Sequence, residues 1–201
     1  MVSNSGKAAG DVLGDVRITY PGSDYFGWRD ITGQVRTRGV GATDPAWAQL
    51  GSGPFYAYQF AVNDVCWMEY HVPHDIVPNS IIHFHVHWLA DGTDVNIVKW
   101  QWDYAYARGF NQEAFDAAGD QITAQEAGAG IAYQHMVTET AGVKLATLNE
   151  PDGMIYVKIT RLTNGGSENA DGIFVLTADV HYQSTDRATY GKAPNFYGAQ
   201  S

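Results

Sequence analysis

Between Ser80 and Leu89 the chain reads Ser-Ile-Ile-His-Phe-His-Val-His-Trp-Leu, and no other stretch restricts the fold as strongly. Ile82, Phe84, Val86 and Trp88 alternate with His83, His85 and His87. Successive side chains of an extended chain point to opposite faces, so this segment has one apolar face and one imidazole face. Wound into a helix, the two sets would mix around the axis and neither would be buried cleanly. The segment is therefore read as a strand with one face on a core.

The same period recurs along the chain. Val98, Trp100, Trp102 and Tyr104 alternate with Lys99, Gln101 and Asp103 in a long strand over Val95–Tyr106. In Met154–Arg161, Ile155, Val157 and Ile159 are read as inward and Tyr156, Lys158 and Thr160 as outward. Ile173–Gln183 places Phe174, Leu176, Ala178, Val180 and Tyr182 on one face and Asp179 and His181 on the other. Shorter strands are expected over Asp30–Thr37, Phe55–Val62, Val65–Val72 and Tyr133–Thr140. Turn residues separate them: a Gly-rich region over Gly39–Gly53, Pro73 and Pro78, Asp91-Gly92, and the polar loop Asn164–Gly172. Only Phe110–Gly130, rich in Ala, Glu, Gln and Asp, leaves room for a short helix. Roughly eight strands with short connections predict an all-β fold, an antiparallel β-sandwich or jelly roll. Residues 1–24, rich in Gly, Ser and Ala, are read as an extended N-terminal arm, 25–185 as the sandwich and 186–201 as a C-terminal tail.

Charge narrows the partners. Twelve Lys and Arg against 22 Asp and Glu leave a formal charge of −10, which repels phosphate backbones and excludes nucleic acid as a partner. Met1–Gly10 does not resemble a signal peptide, and no run of about 18 apolar residues marks a membrane span. With one cysteine there is no internal disulfide, and Cys66, in the apolar run Val65–Met68, is read as a small core residue. Six Trp, 12 Tyr and 8 Phe beside only 17% charged residues suit a chain that contacts other proteins over large surfaces.

The imidazole face is where chemistry is conceivable. Histidines two apart on one strand can share a tetrahedral zinc, and His181, with Asp179 two residues before it, is the natural further donor from a neighbouring strand. His71 and His74 are further candidates. The spacing departs from the cupin pattern, since the residue four past His87 is Asp91 rather than glutamate. A His-rich outer face also suits a subunit interface, so no metal and no cofactor is assigned to His83, His85, His87 or His181. Trp88, Trp100, Trp102, His85, His87 and Tyr182 are read instead as interface candidates. No Gly-rich phosphate loop with lysine and no Gly-x-Ser-x-Gly elbow is present, and His71 and His74 are not placed as a base for Cys66. The acid pairs Asp116/Asp120 and Glu168/Asp171 sit in polar, loop-like stretches. No catalytic residue is assigned, and the chain is not read as an enzyme.

Two segments in order, His85-Val86-His87-Trp88 and Asp179-Val180-His181-Tyr182-Gln183, the first preceded by Pro73-His74 and the second followed by Gly191-Lys192, resemble a family of tailed-bacteriophage virion structural proteins. The resemblance spans about Trp28 to Lys192, while Asp186–Gly191 departs from the Gly-Ser turn expected there. It implies a capsid decoration or cement protein, a homotrimer that also binds the major capsid protein or other virion proteins. Such a protein would be assembled in the host cytoplasm and located in the virion. The alternatives are a tail adaptor, a head fibre or a receptor- or glycan-binding domain, and beyond these a cupin-like metal-binding enzyme, with metal bound by His83, His85, His87 or His181 and a cavity inside the barrel.

Overall fold

The computed structural model describes residues 27–38 and 43–197, so the expected arm lies outside the described residues. Ten strands and no helix occur among them: β1 (Gly27–Gly33), β2 (Ala46–Gln49), β3 (Tyr56–Phe60), β4 (Val65–His71), β5 (Ile82–Ala90), β6 (Ile97–Ala107), β7 (Asp120–Ala127), β8 (Met136–Glu139), β9 (Met154–Leu162) and β10 (Ile173–Ser184). All pairings between them are antiparallel. They build a six-stranded sheet, β2-β3-β10-β5-β8 with β1 also on β10, and a four-stranded sheet, β4-β9-β6-β7. The two pack face to face as a β-sandwich, as the alternation predicts.

Strand β10 organises the larger sheet. One of its edges carries β5 along its length, whereas the other is shared by β3, opposite Ile173–Val175, and β1, opposite Ala178–Ser184. The register with β5 shifts between Val175 and Thr177. A bulge of one residue reverses which face every later side chain takes. Ile173 and Val175 before it, and Ala178, Val180 and Tyr182 after it, therefore all point into the core. Phe174, expected on the inner face, instead packs on the outer side with Ala57 and Leu89, and Leu176 is 42% exposed.

The core lies between the sheets. Trp88 from one sheet and Trp100 and Trp102 from the other are each 0% exposed, packed among Phe60, Phe84 and Ile159. Burying an aromatic side chain of this size is worth about 4–6 kcal/mol by area, relative to an extended chain. This corrects the expectation that Trp88, Trp100 and Trp102 meet a neighbouring subunit: the alternation that identified their face describes the domain's own interior. Tyr182, a further interface candidate, is 4% exposed and donates its hydroxyl to Asp75. Cys66 is buried in the same core, where burial pushes its thiol up to about 12.

Two elements differ from the pattern reading. The Gly-rich region over Gly39–Gly53 contains the edge strand β2, and Phe110–Gly130 contains β7 rather than a helix. Both strands sit at sheet edges and are mostly exposed, so neither needs a fully apolar face, and pairing with β3 or β6 outweighs their weak local preference. The tail does not simply trail away: Phe196 is buried, edge-on to the His74 ring at 5.7 Å and to Phe110 at 5.9 Å.

Candidate functional site

The outer face of the six-stranded sheet brings the histidines together. Direct pairing sets His85 opposite Asp179 and His83 opposite His181, while β8 sets Glu139 opposite His85 and β1 sets Asp30 opposite His181. Residues opposite one another share a face. Two cross-strand rows result, Glu139–His85–Asp179 and His83–His181–Asp30, on the side away from the tryptophan core. The interior between the sheets, where a cupin-like reading expects a cavity, is occupied by the aromatic core.

The contacts are close. His85 Nε2 meets Glu139 Oε2, and its Nδ1 lies 3.4 Å from Asp179 Oδ1. His87 Nε2 is 3.0 Å from Asp179 Oδ2, and His87 Nδ1 is 2.8 Å from His135 Nε2. His181 Nε2 sits 2.6 Å from Asp30 Oδ1, and its Nδ1 3.4 Å from Glu139 Oε2. The His85 and His181 ring centroids are 3.6 Å apart. His83 bonds the Thr140 carbonyl through Nδ1 at 3.0 Å, with Trp28 packed edge-on against its ring.

Burial is uneven across this cluster. The side chains of His85 and Asp179 are 5% and 7% exposed, while Glu139 is 48% exposed. Burial, aided by the charge of His181, pushes His85 below its ordinary value of 6.5 despite the adjacent carboxylates. Burial alone would raise Glu139, but the hydrogen bond from His85 and the charges of His85, His83 and His181 hold it low. His85 is thus favoured as neutral imidazole between two carboxylates. His85, Asp179 and His181 each present a ligand atom within 4.8 Å of the others. Asp179 Oδ1 is buried with no hydrogen-bond donor.

Of the sequence candidates, His83, His85, His87 and His181 do converge. His71 and His74 lie apart, both at 3.1 Å from Asp152 Oδ1. Cys66 faces the core whereas His71 is exposed, which rules out a thiol–imidazole pair. Glu139, His135 and Asp30 were missed, because nothing local to them announces that β8 and β1 flank β5 and β10.

A second feature lies at the bulge. Where β1 ends and β3 begins along the edge of β10, a cleft of about 400 Å³ opens, lined by Gln34, Trp47, Tyr56, Tyr58, Leu176 and Thr177 among others. Trp47 is 62% exposed, its ring 6.4 Å from that of Tyr56 and 16° from parallel, and it meets Tyr58 edge-on. Phe55 beside β3 is 70% exposed.

No protein-family model and no curated protein matches the sequence. Among solved structures, the chain is similar to TmCBM61 in complex with β-1,4-galactotriose, with a TM-score of 0.33, 11% identity, and cover of 80% of this chain and 92% of that one. It is also similar to the catalytic domain of GH87 α-1,3-glucanase in complex with nigerose, with a TM-score of 0.30, 11% identity, and cover of 86% of this chain but only 31% of that one. Likenesses this remote carry no argument about activity, and the sandwich assignment rests on the strands themselves.

Proposed function

We propose that the chain is a non-catalytic structural module of a tailed-phage virion, a decoration or cement protein that holds neighbouring subunits against its six-stranded sheet. The observation that supports this is the aromatic cleft at the bulge. Three of the chain's tryptophans are withdrawn entirely into the core, yet Trp47 and Tyr56 stay substantially exposed around one depression, with the exposed Phe55 next to Tyr56 in the chain. Exposed aromatics of this kind are the usual anchors of a protein interface. The partner, a shell of major capsid protein, comes from the resemblance of the His85–Trp88 and Asp179–Gln183 segments. The test is light scattering of the purified protein, followed by co-sedimentation with phage heads that lack it. A trimer that co-sediments, and loses attachment in Trp47→Ala, supports the reading. A chain that stays monomeric and never sediments with heads overturns it.

A second reading has one observation in its favour. The near-parallel Trp47 and Tyr56 rings, with Gln34 and Thr177 beside them, suit stacking on a sugar ring. Oligosaccharide binding that disappears in Trp47→Ala, with no attachment to heads, would make the module a glycan receptor-binding domain.

A further inference from the structure

We propose that His85, Asp179 and His181 form a zinc site on the outer face of the six-stranded sheet, with Glu139 orienting His85 through its other ring nitrogen. The sequence by itself assigned no metal here, since histidines on a sheet face are commonly just hydrogen-bonded. Three features of the folded chain argue otherwise.

The first is convergence. Ligand atoms from two adjacent strands lie within 4.8 Å of one another, close enough for a single ion to touch all three residues. The second is Asp179 Oδ1: it belongs to a side chain 7% exposed, faces His85 Nδ1 at 3.4 Å, and takes no hydrogen bond. An ionised carboxylate oxygen withdrawn from water and left without a donor is costly, and a cation would supply what the protein does not.

The third is the surrounding shell. His181 Nε2 is 2.6 Å from Asp30, the carboxylate–imidazole pairing that orients a ligand histidine and leaves its other nitrogen, Nδ1, free. Asp179 Oδ2 is held by His87 at 3.0 Å, which fixes the carboxylate with Oδ1 aimed at the gap. Glu139 Oε2 touches His85 Nε2, the ring nitrogen that does not face Asp179, and so orients the imidazole with Nδ1 toward the gap. Two imidazoles and one carboxylate suit zinc; magnesium and calcium prefer all-oxygen shells. A divalent ion would also offset the charge of the buried Asp179 carboxylate.

The site is independent of the virion reading. It joins β5 and β10, so the ion would act as a structural clamp across two adjacent strands of the sheet.

The test uses the intact protein, stripped with chelator and titrated with ZnCl2 in a calorimeter, with metal content of the untreated protein measured in parallel. One zinc per chain is expected, along with a melting temperature that rises with zinc concentration. Asp179→Asn and His181→Gln, checked for folding by circular dichroism, should each weaken binding about 10-fold or more. His71→Gln, in the separate histidine pair around Asp152, should leave it unchanged. Cobalt added to the wild-type protein should give the intense visible bands of a four-coordinate site, a readout that needs no variant to fold. The proposal is overturned if the wild-type protein takes up no zinc. Equal zinc affinity in Asp179→Asn and His181→Gln would also overturn it.

Discussion

The Asp75 carboxylate accepts a 2.9 Å hydrogen bond from the hydroxyl of Tyr182, 107 positions further along the chain. The same carboxylate accepts from Ser184 Oγ at 2.5 Å and pairs with Arg29 at 2.7 Å, so one side chain ties the loop after β4 to both β10 and β1. Burial alone would raise Asp75, but the hydrogen bonds from Ser184 and Tyr182 and the Arg29 charge together hold it below its ordinary 3.8. Burial and Asp75 in turn push the Tyr182 hydroxyl up to about 12.

Asp75 therefore contributes stability that is intact above pH 3.8 and is lost as the pH falls from there through its lower folded value. Asp75→Asn should cost about 1–3 kcal/mol at neutral pH and flatten the acid limb of a plot of Tm against pH. An unchanged acid limb would show that other carboxylates control acid unfolding.

The buried indole of Trp88 donates to Thr138 Oγ1 at 2.9 Å across the β5–β8 pair. Thr138→Val keeps the shape and removes the acceptor, leaving the N–H unsatisfied at a cost of about 1–3 kcal/mol in a urea melt. Trp88→Ala, which also opens a cavity, should cost about 3–5 kcal/mol.

The bulge predicts unequal effects for two residues that simple alternation treats alike. Leu176→Gln changes a 42% exposed side chain and should shift stability by no more than about 0.5 kcal/mol. Phe174→Ala removes a side chain 2% exposed and should cost about 3 kcal/mol or more. Equal values in denaturant titrations would argue against the bulge.

Cys66 should be inert in the native state. It is 0% exposed, and burial holds its thiol up at about 12, so almost no thiolate exists at pH 8. A coloured disulfide reagent should label about one thiol per chain only after urea is added, and rapid labelling of folded protein would contradict this core packing.

How much could be read in advance differs from element to element. The faces of β5, β6 and β9 follow directly from alternation: Ile82, Phe84, Val86, Trp88, Trp100, Trp102, Ile155 and Ile159 all lie in the core. The polarity of β10 was legible only after its bulge, because an inserted residue leaves no local mark when apolar side chains occupy both parities. The zinc candidates show the same limit. Asp179 and the His83–His87 face could be named, but the contacts from His85 to Glu139 and from His87 to Asp179 span 54 and 92 positions.

By itself, then, the sequence determined the class of fold, the inner and outer faces of most strands, and the presence of three imidazoles on one surface. These are local consequences of an extended backbone whose side chains alternate. Only the tertiary structure decided that β10 lies between β5 and β1, that Trp88, Trp100 and Trp102 face each other's sheets rather than another subunit, and that His85, Asp179 and His181 meet. Strand order and register come from contacts between distant segments that bury the most apolar surface together, and no short window of sequence contains both partners.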